Sequence, residues 1–202
     1  MSDADSTSTR RVSGKVRWRR FAIVAVPAVA VAGTLVGLTA EGALASSISV
    51  SGSAFTITAS QLTGIGFEQY GNILTDGGGN PHAVMESAMH GANMTNLCQS
   101  VNIRTPIGTI VLRLTAGGGS GGSVSASNLI VDADSQTADS ATFNNIVIGE
   151  DAGSMTGNSQ LAGGFGESAS SVTIDNLRQN TWLTTAGTFT LPNLSLGFGG
   201  AC

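Results

Sequence analysis

Apolar and polar residues alternate with a period of two along most of the chain after residue 46. Clear examples are the runs at 55–57, 110–114, 172–174 and 189–191, which glycine-rich breaks at 77–79, 116–122 and 163–166 separate. No stretch of this part sustains the 3.6-residue apolar period of an amphipathic helix. The pattern predicts an all-β domain of about ten or eleven short strands.

The strand sequences repeat along the chain. Residues 124–129 (VSASNL) recur 48 positions later at 172–177 (VTIDNL), and residues 138–149 recur at the same offset at 186–197. A third, shifted copy begins at Ala92. Each copy places an asparagine directly before an aliphatic residue, and these asparagines are Asn96, Asn128, Asn145, Asn176 and Asn193.

The apolar alternation slips by one residue at Asn96, Asn176 and Asn193. Such a slip turns the apolar face of a strand outward unless the backbone bends, so we predict a β-bulge or a corner at each asparagine. Asparagine suits these positions because it tolerates the left-handed backbone region. The asparagines are spaced by 32, 17, 31 and 17 residues, which is uneven for a solenoid. We therefore expect an antiparallel sheet or sandwich with repeated bulged strands, with a β-solenoid as the alternative.

The first 45 residues read as an export signal. A basic region at 10–20 precedes the uncharged, mostly apolar run 21–40, and Ala43-Leu44-Ala45 fits a signal peptidase site before Ser46. The apolar run predicts one hydrophobic helix, which is also long enough for a membrane anchor because twenty residues span about 30 Å. We expect residues 1–45 to be a signal peptide or anchor and residues 46–202 to be a single extracytoplasmic β-domain, either secreted or held at the membrane by residues 21–40.

Charge is scarce and is distributed unevenly along the chain. Only 11% of residues are charged, and the part after residue 20 contains three arginines, no lysine and eleven carboxylates. Nucleic acid is excluded as a partner, because its recognition needs a clustered positive face. The expected partners are a lipid or an envelope protein, together with the membrane through the N-terminal segment.

Two cysteines, Cys98 and Cys202, lie in the part that we expect to be exported. An even number of cysteines in an oxidising compartment predicts a single disulfide between them. Closing a loop of about 100 residues restricts the unfolded state by up to about 4–5 kcal/mol in the chain-entropy model.

The sequence offers little for catalysis. Residues 118–122 (GGSGG) fit the pattern of a serine nucleophile elbow, but Ser120 lies in a polyglycine loop with no helix behind it. Both histidines, His82 and His90, precede this serine, and we interpret each as a surface or turn residue. We predict no catalytic residue and no cofactor-binding residue.

Three aspartates, Asp132, Asp134 and Asp139, raise the question of calcium. The spacing from Asp132 places Thr137 and Phe143 where an EF-hand needs glycine and glutamate. We therefore predict no metal site, and a weak surface cation site is the alternative. The aromatic residues Trp182, Phe143, Phe165 and Phe189 are interpreted as core or as a packed sheet face.

An ordered set of short phrases extends over nearly the whole chain. They are WRRFA at 18–22, GALA at 42–45, GFEQYG at 66–71, NLCQS at 96–100, LTAGG at 114–118 and AGTF at 186–189. The set resembles an uncharacterised exported protein family of actinobacteria, chiefly of the Streptomyces type, whose members often carry the automatic label "cholesterol esterase". The resemblance implies an envelope-associated protein of unknown function and supplies no catalytic residue.

Together these features favour an exported cell-envelope protein without enzymatic activity. We expect its β-domain to act as a structural, interaction or apolar-ligand-binding module, because a curved sheet with one apolar face suits a lipid or a partner strand. The alternative function is a secreted lipid-ester hydrolase of the cholesterol esterase kind.

Overall fold

A computed structural model describes residues 50–202 of the chain. The predicted hydrophobic helix at 21–40 and the predicted cleavage site before Ser46 lie outside the described residues, so both stay predictions. Within residues 50–202, no helix has the length and the apolar character needed to cross a membrane.

Ten strands form one sheet, and every pairing between them is antiparallel. The strands are β1 (Phe55–Thr75), β2 (Pro81–Thr95), β3 (Leu97–Thr105), β4 (Gly108–Ala116), β5 (Val124–Thr137), β6 (Ser140–Asn144), β7 (Val147–Asp151), β8 (Phe165–Thr185), β9 (Thr188–Thr190) and β10 (Ser195–Phe198). Helical structure in the described part comprises the one-turn helix α1 (Ala152–Thr156) and 3-10 turns at Gly119–Gly121 and Ser159–Leu161. The all-β, antiparallel prediction is confirmed, and the solenoid alternative is wrong.

Strand length differs from the prediction of short strands. Both β1 and β8 contain 21 residues, against about 5–6 for a typical strand. Several phrases that look like separate strands in the sequence are halves of one long strand, because the chain turns a corner without leaving the sheet.

Four of the longest strands form a closed circuit of pairing. β1 pairs with β2, β2 with β5, β5 with β8, and β8 pairs back with β1. Their inward faces bury a single hydrophobic cluster, whose largest members include Leu62, Phe67, Met89, Leu129, Val172, Ile174 and Leu177. The circuit explains how such a glycine-rich chain still encloses a core.

All five repeat asparagines adopt the left-handed conformation. Their φ angles lie between 45° and 53°, and they are the only non-glycine residues with positive φ in the described part of the chain. The prediction that a special backbone geometry recurs at Asn96, Asn128, Asn145, Asn176 and Asn193 is confirmed.

The asparagines form corners rather than bulges. Leu177 pairs with Ala59 and Asp175 with Gln61, so the register on both sides of Asn176 is unchanged. Pairing shifts occur elsewhere, in β5 between Asp132 and Ser135 and in β7 between Ile148 and Glu150. The core-facing positions nevertheless step by three residues across the corner, from Ile174 to Leu177.

Most of these corners are places where the chain exchanges one strand neighbour for another. At Asn96 the chain leaves β5 and joins β4, and at Asn128 it leaves β9 and joins β8. At Asn176 it leaves β6 and joins β5, while Asn193 separates β9, which pairs with β5, from β10, which pairs with β4. Asn145 differs, because β6 and β7 on either side of it both pair with β8.

Replacing Asn176 by valine tests this geometry. A β-branched residue at positive φ is strained, so we expect Asn176→Val to lower the free energy of unfolding by about 1–3 kcal/mol. Asn176→Gly, which also loses the hydrogen bond from Nδ2 of Asn176 to Asp139, should cost much less because glycine adopts positive φ freely. Denaturant midpoints provide the measurement.

A matched control is Asn102→Val, an exposed strand residue outside the corners. Its cost should stay within about 0.5 kcal/mol. Asn158 is unsuitable as a control, because its side chain accepts a hydrogen bond from the backbone N–H of Gln160 and caps a 3-10 turn. Equal midpoints for Asn176→Val and Asn102→Val would contradict the role of the corner.

A disulfide joins Cys98, at the start of β3, to Cys202, across a sequence separation of 104 residues. Polar contacts hold the C-terminal residue beside it: the backbone N–H of Cys202 donates to Ser100 Oγ, and Arg178 donates to the Cys202 carbonyl. The segment after β10 is thereby fixed to the first residues of β3.

Alkylation of the native protein without reduction should leave Cys98 and Cys202 unlabelled. Cys98→Ser combined with Cys202→Ser should lower the free energy of unfolding by up to about 4–5 kcal/mol, because the loop between the two residues is then free in the unfolded chain. Mass spectrometry of the alkylated protein checks the pairing, and quantitative labelling of both thiols would contradict it.

Candidate functional site

An open apolar groove lies where the start of β1, the hairpin of β3 and β4 and the end of β8 meet. Its volume is about 480 Å³, within the range of roughly 300–1,000 Å³ that small-molecule sites occupy. The lining residues are mainly apolar and include none with a charge: Val50, Ser51, Phe55, Gln99, Leu114, Trp182, Leu183, Thr184, Ala186, Phe189 and Leu191. Four of these side chains also pack against the hydrophobic core, so the groove opens directly above it.

The groove contains one polar group that lacks a partner. The hydroxyl of Thr184 is buried and makes no hydrogen bond among the described residues. An unpaired buried hydroxyl costs about 1–3 kcal/mol. Because solvent does not reach this oxygen, the Thr184 side chain must rotate before a ligand in the groove can pair with it and remove that cost.

Trp182 is fixed in the groove wall by one contact at the edge of the indole and one on its face. Its Nε1–H donates to Asp134 Oδ2 at 3.0 Å, and its ring stacks on His82 with centroids 3.6 Å apart. His82 in turn lies 3.2 Å from Asp76 Oδ2 through Nε2. Hydrogen bonds from Asn80, together with those from His82 and Gly78, hold the pKa of Asp76 well below its usual range. A rigid aromatic wall of this kind is typical of a largely preformed small-molecule site.

A row of acidic and phenolic side chains crosses three strands at Glu86, in the first half of β2. Tyr70 of β1 lies opposite Glu86 of β2, which lies opposite Asp132 of β5. The phenol of Tyr70 and the amide of Asn72 donate to the two oxygens of Glu86. Burial, and the interaction with Glu86 in second place, raise the pKa of Tyr70.

Asp132 is the least satisfied member of this row. It is 3% exposed, and its Oδ1 has no hydrogen-bond partner within residues 50–202. Burial, reinforced by the charge of Glu86, raises the pKa of Asp132 to about 7. The carboxyl therefore holds a proton up to near-neutral pH. Because solvent scarcely reaches it, we assign the row a structural rather than a catalytic role.

Asp134 and Asp139, the other two aspartates considered for a cation site, accept hydrogen bonds from other side chains. Asp134 accepts hydrogen bonds from Asn180 and Trp182, and Asp139 accepts one from Asn176. Within the described range, no group of three or more His, Cys, Asp or Glu side chains is placed to hold a metal ion.

The structure also separates the residues that a serine hydrolase would need. Ser120 lies in the 3-10 turn Gly119–Gly121 after β4, not on a turn from a strand into an α-helix. No hydrogen bond connects Ser120 with His82 or His90 among the described residues, and His82 is engaged with Asp76 and Trp182. His90 is exposed on β2, and its ring lies over Gly66, where an added Cβ would clash with Nδ1 of the imidazole.

The aromatic residues divide between core and surface. Phe143 packs on Phe67 against the core with ring centroids 5.3 Å apart. Phe189 and Trp182 line the groove. Phe165 is 62% exposed, so its assignment to the core or a packed face is wrong. It is the first residue of β8 and pairs with Asp151, the last residue of β7.

The model of one protein family, DUF6230, described as a family of unknown function, matches residues 51–202. No curated protein and no solved structure matches the chain. The uncharacterised status expected from the resemblance is therefore borne out, whereas the actinobacterial origin and the esterase label stay predictions.

The raised pKa of Asp132 predicts a pH dependence of stability. A carboxyl whose folded pKa lies above its unfolded value of 3.8 binds a proton on folding, so stability falls as pH rises from about 4 to about 7. We expect Asp132→Asn to remove this fall and to raise the free energy of unfolding at pH 8 by about 2–4 kcal/mol relative to the wild type.

Urea denaturation at several pH values measures this effect. Glu86→Gln is the informative companion, because it removes the charge that contributes to the raised pKa of Asp132. It should narrow the pH range over which stability falls. Parallel pH curves for the wild type and Asp132→Asn would refute the assignment.

Proposed function

Since the chain belongs to the DUF6230 family, a family of unknown function, we propose a function from its own groove: it binds one uncharged lipid in the cell envelope. The observation that carries the proposal is the apolar groove with the unpartnered hydroxyl of Thr184 in its wall. Sites for small molecules combine apolar walls with a few placed polar groups. This groove has that combination.

The lack of charged residues in the groove favours an uncharged lipid over a charged one. No charged residue lines the groove, and the chain after residue 20 contains eleven carboxylates against three arginines. A ligand with a free carboxylate or phosphate would enter an uncharged groove on an acidic domain without a counter-charge. An alcohol or an ester at the polar end of an apolar chain suits the Thr184 hydroxyl better.

The envelope location rests on the sequence of the N-terminal segment. The basic region at 10–20 and the apolar run at 21–40 support export of the β-domain, and the Cys98–Cys202 disulfide is consistent with an oxidising compartment. We propose that residues 46–202 function outside the cytoplasmic membrane.

Lipid-ester hydrolysis stays the alternative activity. A serine hydrolase reacts covalently with a fluorophosphonate probe, whereas a binding protein releases its lipid unchanged. Labelling by the probe, together with its loss in Ser120→Ala, would favour the hydrolase over the proposed function.

Titration of the full chain with monolaurin, an uncharged ester lipid, tests the groove. Trp182 reports binding, since the chain has one other tryptophan, Trp18. Thr184→Val should weaken binding about fivefold to tenfold, the loss of one hydrogen bond. The same variant should raise the free energy of unfolding of the ligand-free protein by about 1 kcal/mol, because it removes an unsatisfied buried hydroxyl.

Two further comparisons sharpen the test. Phe189→Asp places a charge in the groove wall and should abolish binding, whereas Phe165→Asp, at an exposed phenylalanine outside the groove, should not change it. Laurate, which has the same acyl chain with a carboxylate, should bind more weakly than monolaurin. If Phe165→Asp and Phe189→Asp reduce binding equally, the groove is not the site.

A further inference from the structure

Strands β3, β4 and β10 form a three-stranded arm at one edge of the sheet, with the order β10-β4-β3. Directly opposite residues in antiparallel strands point to the same face. By this rule one face of the arm is mainly apolar, since Val101 lies opposite Leu112, Ile103 opposite Ile110, Leu114 opposite Leu196, and Leu112 opposite Phe198. Its polar residues are Gln99, opposite Leu114, and Thr105 beside the turn.

The other face of the arm is largely polar. Ser100 lies opposite Arg113, Arg104 opposite Thr109, and Ser195 opposite Thr115. The arm is therefore an amphipathic sheet, which joins the hydrophobic core through Leu97 and Ala116, with Leu114 packed against it.

The apolar face of the arm is buried at Leu97 and Ala116 and becomes exposed towards the turn and β10. Phe198 is 73% and Leu196 62% exposed, and Ile107 at the turn between β3 and β4 is 94% exposed. Large apolar surfaces of this kind mark sites of contact with another molecule or with a membrane.

Charge sets the arm apart from the rest of the domain. No carboxylate side chain occurs in residues 87–131 or 176–202, which include the whole arm, whereas Arg104 and Arg113 are two of the three arginines after residue 20. An acid-free apolar face with arginines on its reverse side matches a bilayer, where the apolar residues meet acyl chains and the exposed Arg104 reaches phosphates. Arg113 donates from Nε to Cys98 Sγ.

The point at which the chain enters the domain lies on the same side as the apolar face. Val50 and Leu114 line the same groove, and Leu114 belongs to the apolar face of the arm. Only residues 41–49 separate Val50 from the apolar run 21–40, and an extended chain of that length reaches at most about 30 Å.

We propose that the arm docks on a lipid bilayer through its apolar face, with Ile107 and Phe198 as the residues that enter deepest. This inference rests on the envelope location proposed above. The unpaired edge of β10 confines the arm to the interface, because backbone groups without partners are costly within the hydrocarbon layer. Docking would bring the mouth of the groove close to the membrane surface, where an uncharged lipid is available.

The test places a tryptophan at the turn of the arm. Ile107→Trp in the full chain is reconstituted into phosphatidylcholine vesicles with brominated acyl chains, and the wild-type signal of Trp18 and Trp182 is subtracted. The added indole should lose most of its emission to bromine and should be protected from acrylamide in the aqueous phase. Ile148→Trp is the matched control, because Ile148 is 65% exposed but lies on β7 opposite Glu167.

The two quenchers distinguish a lipid bilayer from a protein as the surface that contacts the arm. Quenching of the added indole by bromine, together with no bromine quenching in Ile148→Trp, supports docking on lipid. Protection from acrylamide without bromine quenching means that a protein surface, such as a second copy of the chain, covers the arm and overturns the proposal. Quenching by acrylamide alone, or equal bromine quenching at both positions, also overturns it.

A second variant links docking to the rest of the apolar face. Leu196→Ser and Phe198→Ser, added to Ile107→Trp, should reduce the bromine quenching, and both positions are exposed enough for the fold to tolerate serine. The monolaurin titration of the same variants reads the groove separately. The two measurements thus distinguish a loss of docking with intact monolaurin binding from a loss of monolaurin binding with intact docking.

Discussion

The left-handed backbone at five asparagines is the constraint on which the remaining architecture depends. A strand that keeps one face on a core must stay in register, yet a 21-residue strand cannot remain straight around a small interior. At Asn176 the chain turns while Leu177 and Asp175 keep their pairing with β1. The corner therefore directs the strand towards β5 without interrupting its pairing with β1. This second pairing closes the circuit of β1, β2, β5 and β8.

The groove is a consequence of the same corners. After Asn176, β8 continues along β5 and brings Trp182 and Thr184 beside the start of β1. After Asn96, the chain diverges from β5 and forms the arm with β4, which contributes Leu114. The proposed lipid site thus lies between the end of β8 and the β3–β4 hairpin, which both begin at asparagine corners.

The sequence predicts the corners but not the contacts that they create. The alternation slip at Asn176 is visible in six residues, and it implies a backbone bend by itself. The row formed by Tyr70, Glu86 and Asp132 depends on pairing between three strands, and so does the Trp182–His82 stack. A single sequence contains no information on register between distant strands, so Thr184 and Asp132 resemble any other polar strand residues until the sheet is assembled. The length of β1 and β8 was mispredicted for a related reason, since a corner and a loop produce the same interruption of the pattern.

The pairing of β1 with β8 has a consequence for how the molecule acquires its structure. Phe55 pairs with Thr181 and Tyr70 with Gly166, so the first long strand, which also pairs with β2 and β3, meets its third neighbour only near the end of the chain. Contacts between residues so far apart in sequence slow the search for the native state, because a long loop must close before any of them forms. Until then, one edge of β1 offers unpaired backbone groups to any other strand that it meets. Folding of this domain is therefore expected to be slow and sensitive to protein concentration, in contrast to a β-protein built from local hairpins alone.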